Sequence, residues 1–241
     1  MEESHEDSVD NSISVTRHKI IFVGDASVGK TCIINRIVDN PFSETYEMSI
    51  GVDFMSKNLR YRGQNIKLQI WDSAGQEKYK GLIPSYIRNS SIVFVVYDVS
   101  SKTSFNNVTS WINFIKSIEN TTIVLCGNKI DLTTREVQHD EGQQFAEKEG
   151  ISFFEVSAKT NEGIKHMFYT AVADLPTFAE GASNKEALIK ELQEENGVEN
   201  IKEGNSPGES KPQEGDSINV NGKKQNIKIK QKKIADVNRM N

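Results

Sequence analysis

The chain is short of cysteine: its 241 residues include only Cys32 and Cys126. Each sits inside a run that reads as buried secondary structure, so a disulfide framework is excluded as the source of stability and a reducing compartment is expected. No apolar run approaches the ~20 residues that a membrane span needs. The first residues, Met1-Glu2-Glu3-Ser4-His5-Glu6-Asp7, are acidic where a signal peptide would be basic and then apolar. Residue 2 is Glu rather than Gly, which excludes N-myristoylation. With a net charge of -5 and a pI near 5.5, general affinity for nucleic acid is not expected. These absences together imply a cytoplasmic chain, peripheral to membranes at most.

What is present falls into three stretches. Residues 1–17 are acidic and rich in Ser and Asn, without periodicity, and are expected to form a disordered arm. Residues 18–177 alternate apolar runs with polar turns and are expected to be the single folded domain. Residues 178–241 are too polar to bury a core and are expected to be a disordered tail, with at best a transient helix over 185–192. The tail ends in a basic stretch, Lys223, Lys224, Lys228, Lys230, Lys232, Lys233 and Arg239, opposed only by Asp236.

Within the domain, β-branched and aromatic runs predict strands at 19–23, 50–61, 65–71, 92–97, 122–126 and 152–156, the second and third joined as a hairpin around Arg62-Gly63-Gln64. Helical spacing predicts helices at 31–38, 104–119, 138–148 and 163–175. The last has Asn161 as N-cap, buries Ile164, Phe168 and Val172, and is stopped by Pro176. Strands alternating with helices specify an α/β fold. The expected form is a doubly wound, mostly parallel six-stranded sheet with one antiparallel strand and flanking helices. Such sheets bind ligands beyond the carboxyl ends of their strands, so function is sought in the loops there.

The first strand runs into Gly24-Asp25-Ala26-Ser27-Val28-Gly29-Lys30-Thr31, a phosphate-binding loop in its strand-to-helix context. Glycines let backbone N–H groups curl around an anion, and the helix N-terminus adds a positive dipole. Lys30 supplies charge for β and γ phosphates, and the Thr31 hydroxyl suits Mg²⁺. Asp72-Ser73-Ala74-Gly75-Gln76-Glu77 follows the third strand. Asp72 can hold the metal through water, Gly75 can bring its N–H to a γ-phosphate, and the Gln76 amide can orient an attacking water. Two further loops read the base. The Asp131 carboxylate in Asn128-Lys129-Ile130-Asp131 can accept from both N1–H and the 2-amino group of guanine, a pair of donors that adenine lacks. Lys129 can lay its stem over the base and Asn128 can tie loops together. In Ser157-Ala158-Lys159, the Ala158 N–H can donate to guanine O6.

These four motifs, in this order, resemble the Ras superfamily over about residues 18–176, which implies that the doubly wound sheet is of the P-loop NTPase kind. Ile50-Gly51-Val52-Asp53-Phe54 and Lys67-Leu68-Gln69-Ile70-Trp71 are similar to segments of its Rab branch. Residues 83–90 and 173–176 are similar to the Golgi Rab subgroup serving retrograde traffic. The resemblance implies a slow GTPase switch in vesicle-mediated transport, stimulated by an activating protein. It also implies a nucleotide site extending over residues 25–32, Cys32 included, with Phe42 over the base and Tyr46 over the phosphates. Phe54, Trp71 and Tyr86 fall at the places of the aromatic triad that effectors contact, and an exchange factor is implied as a further partner of a monomeric chain.

The chain departs from the Rab pattern in three places. Ser49 stands where Rabs carry the switch I Thr; the metal-binding hydroxyl survives, but the stiffness of a β-branched side chain is lost, so a less completely ordered switch is expected. Ala26 occupies a variable loop position, and no internal arginine finger is evident. The chain ends at 236–241 without a cysteine to prenylate, so the basic tail is expected to give only weak, salt-sensitive contact with anionic membranes, at roughly 1 kcal/mol per Lys or Arg. Two other readings stay open: a nucleotide-gated binding module that hardly hydrolyses, opposed by Gln76, and an ATP-using P-loop enzyme, opposed by Asp131.

Overall fold

Unbroken runs of apolar side chains along the strands require cover on both faces of the sheet, and a computed structural model, which describes residues 15–43, 52–73, 83–179 and 184–197, shows that cover. The strands are β1 (Thr16–Val23), β2 (Val52–Tyr61), β3 (Gln64–Ser73), β4 (Ile92–Asp98), β5 (Thr122–Asn128) and β6 (Ser152–Val156). They form one sheet in the order β2-β3-β1-β4-β5-β6, with β2 antiparallel to β3 and the other pairings parallel. This is the expected doubly wound arrangement.

Successive residues of β1 and β4 serve opposite faces. Ile20, Phe22, Ile92, Phe94 and Val96 enter one core with α1 (Lys30–Ile37) and α6 (Ile164–Ala173). Ile21, Val23, Val93, Val95 and Tyr97 enter the other with α2 (Ile83–Ile87), α3 (Lys102–Asn106), α4 (Val108–Lys116) and α5 (His139–Glu149). The rings of Phe22 and Phe94 stack across neighbouring strands with centroids 4.5 Å apart. Ile164, Phe168 and Val172 are buried on α6 as its spacing predicted.

Several boundaries differ from those expected. The β2–β3 loop is only Arg62-Gly63, with Tyr61 paired to Gln64, and both loop residues have positive φ (49° and 75°). That conformation matches the strand twist in a two-residue hairpin, and Gly63 adopts it without cost. The single helix expected over 104–119 is two, α3 and α4, meeting at Asn107, with the Ser101 hydroxyl accepting from Ser104 N to cap the first. Asn161 does not cap α6: the N-cap is Gly163, at φ 73°, without a side-chain hydrogen bond. The α6 helix stops at Ala173, before Pro176, which instead opens a short helix, α7 (Pro176–Ala179). Pro tolerates a first helical position because its missing N–H has no partner there anyway.

The ends of the domain also move outward. Thr16 and Arg17, assigned to the arm, belong to β1 and pair with Ile66 and Lys67. Residues 178–179 and 184–197 are ordered where a free tail was expected. Phe178 is fully buried against Tyr61, and α8 (Lys185–Gly197) lies on α6 and β2, burying Leu188, Ile189 and Leu192. An isolated helix of this length is marginal in water, but docking an apolar stripe removes that limit. Lys185 pairs with Asp174 at 2.5 Å. At the far end, Asn196 Oδ1 accepts from Arg60 N at 2.9 Å and its Nδ2 donates to Arg60 O at 3.3 Å, so one side chain occupies part of the open edge of β2. The helix therefore extends the domain to about residue 197. No helix among the described residues is long and apolar enough to cross a membrane.

Leu192 is fully buried under α8. Leu192→Ala is expected to lower the unfolding free energy by about 2–5 kcal/mol. Urea denaturation would check it; a cost near zero would mean that the helix is not docked in solution.

Candidate functional site

The carboxyl ends of β1, β3, β5 and β6 deliver the four motif loops to one end of the sheet. The phosphate loop turns into α1 through Gly29, whose φ of 96° an ordinary side chain would resist. A Cβ there would also lie 2.3 Å from Asn128 Nδ2. The close approach has a purpose. Asn128, at the tip of β5 and 1% exposed, donates from Nδ2 to Val28 O at 2.9 Å, and its Oδ1 accepts from Ala158 N at 3.1 Å. One amide thus joins the phosphate loop to both expected base-reading loops. The Ala158 N–H, expected to face guanine O6, donates here to Asn128 Oδ1, because a buried amide oxygen needs a donor.

Asp131 lies where the Ser157 hydroxyl donates to its Oδ1 at 2.6 Å, and that hydroxyl also accepts from Thr160 N. Lys129, at φ 72°, pairs its ammonium with Asp98 at 2.6 Å, and Asp98 further accepts from the Ser100 N–H and hydroxyl. The Asp131 carboxylate and the Lys129 ammonium are both held by side-chain partners. Arg36 adds a clamp that no motif signalled: from α1 it donates to the carbonyls of Ala158 and Lys159, each at 2.9 Å. Its guanidinium also lies over the Phe42 ring, 5.8 Å from the centroid. Phe42 is thereby brought to the side of the Ser157–Lys159 loop.

On the phosphate side, Lys30 is 5% exposed and donates to Gly24 O at 3.0 Å and Asp25 O at 2.7 Å. Burial pushes its ammonium down to about 8 from 10.5, against the opposing pull of Asp72 and Asp25. The Thr31 hydroxyl donates to Asp72 Oδ2 at 2.5 Å, and Asp72 is 1% exposed. A hydroxyl and a carboxylate so close together form the hard-oxygen donor set that suits Mg²⁺. Ser73, next in β3, donates to Phe22 O at 2.7 Å and binds this strand end to β1. The Asp25 carboxylate is gripped from the helical side by Asn107 Nδ2 at 2.7 Å and Trp111 Nε1 at 3.0 Å. Sequence reasoning missed both partners, which lie more than 80 residues away. Burial raises the Cys32 thiol, and that of Cys126 far more strongly.

Away from the loops, the aromatic rings of Phe54, Trp71 and Tyr86 form a continuous cluster, with centroid separations of 5.2 Å and 5.5 Å. Phe54 is 48% exposed, which core packing does not explain. Tyr46, Ser49, Gly75 and Gln76 lie outside the described residues, as does the basic stretch after residue 222.

Lys30 carries a signed pH dependence. Between about 8 and 10.5 the unfolded chain binds the proton more tightly than the folded one, so the lysine makes the ligand-free protein more stable as pH rises through that window. Lys30→Met should abolish the rise, flattening the slope by up to about 1.4 kcal/mol per pH unit. Denaturant titrations at pH 8, 9 and 10 read it directly, and equal slopes for the two proteins would contradict the burial argument.

Comparison with known proteins agrees with this architecture. The sequence pattern of the Ras family matches residues 19–177. The chain is also 41% identical over 192 residues to the Ras-related protein Rab-4 of Dictyostelium discoideum, a match spanning 78% of this chain and 94% of that protein. The joined loops on a parallel sheet, the family match and the near full-length similarity converge: this chain belongs to the Ras family of small GTPases, in its Rab branch.

Proposed function

We propose that residues 25–32, 128–131 and 157–159, with Asp72, form the GTP and GDP site of a switch in vesicle-mediated transport. The observation that supports it most is the Asn128 amide, which holds the phosphate loop against the loops bearing Asp131 and Ser157. Asp131 reads the guanine N1–H and 2-amino group, oriented by Ser157, while the Lys129 stem and the Phe42 ring cover the base. Loop N–H groups and Lys30 hold the phosphates, and Tyr46 covers them. Mg²⁺, when bound, neutralises charge on the β and γ phosphates. Thr31 and Ser49 would supply hydroxyl ligands to it, and Asp72 would hold it through water.

Gly75 senses the γ-phosphate and Gln76 orients the attacking water. Loss of that phosphate releases both switch loops, which is the signal read by partners. Exchange factors, activating proteins and effectors are partners of the family in general. On this chain the exposed Phe54–Trp71–Tyr86 cluster and the switch loops are the proposed contact surface. We place the monomeric chain at the cytosolic face of Golgi or endosomal membranes, with weak help from the basic tail; the Golgi assignment rests on the similarity of residues 83–90 and 173–176 alone.

Asp131→Asn is expected to weaken guanosine nucleotide binding by about 10²-fold or more and to favour xanthosine nucleotides, whose base carries a 2-oxo acceptor where guanine has the 2-amino donor. Competition binding with both nucleotides measures it, and an unchanged preference would remove Asp131 from the base site. Gln76→Leu should slow single-turnover phosphate release on the order of 10²-fold. A chain whose rate did not respond would instead be a nucleotide-gated binding module.

A further inference from the structure

A pocket of about 540 Å³ opens at the amino-terminal half of β1, distant along that strand from the phosphate loop. Three cations line it: Arg17 and Lys19 from β1, and Arg88 from the end of α2; Gln69, Ser91 and Trp71 complete the part used here. Alternate residues of β1 share one side, so Arg17 and Lys19 enter together. The Lys19 ammonium donates to Arg88 O at 3.0 Å and lies 5.3 Å from the centre of the Trp71 ring. Among the described residues none of the three cations is paired with a carboxylate. One carboxylate reaches the rim, that of Glu119, and it accepts from the Asn89 N–H at 3.0 Å. Burial lowers the Lys19 ammonium with no acid opposing it. Three like charges around one concavity are mutually repulsive and favour an anionic occupant.

The chain carries such an anion next to the pocket. Residues 1–14 hold Glu2, Glu3, Glu6, Asp7 and Asp10 and no Lys or Arg, and they join β1 immediately before Thr16 and Arg17. Asp10 is five residues from Val15, a reach of up to ~17 Å when extended, and the earlier acids reach further. A short tether holds its end at an effective concentration on the order of millimolar, enough for a weak ionic contact to be well populated. We propose that the acidic arm is the occupant of this pocket, its carboxylates on Arg17, Lys19 and Arg88 beside Trp71. The inference does not depend on the nucleotide assignments.

The test uses the full chain labelled for NMR, following the Trp71 indole N–H and the backbone amides of Arg17, Lys19 and Ser91. Neutralising the arm (Glu2→Gln, Glu3→Gln, Glu6→Gln, Asp7→Asn, Asp10→Asn) leaves the folded core untouched. It should move these signals to the positions that the parent reaches in about 1 M salt, where the screening length is about 3 Å. Arg17→Ala with Arg88→Ala should produce the same loss of salt dependence. A synthetic peptide of residues 1–14 should bind the arm-neutralised chain about tenfold more tightly than the parent, whose own arm competes. Signals unmoved by neutralisation would overturn the proposal. So would equal peptide binding to both chains, which would assign the pocket to an acidic partner in trans.

Discussion

The site depends on one buried amide. Asn128 donates to a carbonyl of the phosphate loop and accepts an N–H from the loop after β6, two groups that belong to strands not adjacent in the sheet. Only a short side chain with a donor and an acceptor at its tip can do both at once. A carboxylate would face the Val28 carbonyl with like charge, and a longer amide would not fit where a Cβ on Gly29 would already collide. Net, such bonds contribute about 1 kcal/mol each, but leaving a buried partner unmade costs about 1–3 kcal/mol. The arrangement is therefore close to all-or-none: the phosphate loop and the loops after β5 and β6 are positioned together or not at all. Arg36, donating to two successive carbonyls of the same far loop, closes a second tie from α1 and makes the three loops one rigid rim.

How much of this was legible in the sequence follows from range. The strands β4, β5 and β6 were readable because burial on both faces leaves short runs of apolar letters. Their ends were not, because Asp98 and Asn128 remain in the strands although they are polar: each is buried and has a partner far along the chain, Lys129 for Asp98 and the Val28 carbonyl for Asn128. The motif residues of the site were readable because phosphate and metal chemistry restrict which residue types can serve at fixed local spacing. Arg36, Asn107 and Trp111 had no such signature. They are ordinary helical residues whose partners lie far along the chain, and only the strand order brings them to the loops. Helix α8 was misjudged for a related reason. Read as an isolated helix it lacks the length to persist, and nothing local reveals that Leu188, Ile189 and Leu192 meet a surface made by α6 and β2.

That helix also settles how β2 is used. An edge strand presents open backbone groups along its length, and proteins commonly cover such edges. Here Asn196 engages both backbone groups of Arg60, near the hairpin, while the other end of the strand leaves Phe54 exposed. The edge is therefore divided: one end is closed by the chain's own carboxyl-terminal helix, and the other is open for contact. Extension of the domain through α8 is thus tied to the same strand that carries the first aromatic of the proposed partner surface.

The pleat of β3 supplies the link from chemistry to that surface. Trp71 and Asp72 are neighbours, and the two-residue period of a strand sends them to opposite faces. Asp72 meets Thr31 on the side of α1, while Trp71 lies between Phe54 and Tyr86 on the other. Asp72 is paired across to Asp53, and Trp71 to Phe54, so two consecutive rungs of one antiparallel ladder hold the metal-side carboxylate and the exposed aromatic pair. The Ser73 hydroxyl, bonded to the Phe22 carbonyl of β1, holds the same strand end to the centre of the sheet. Adjacent residues of a paired strand have no flexible joint between them, so the tie that fixes Asp72 beside Thr31 also fixes Trp71 between Phe54 and Tyr86.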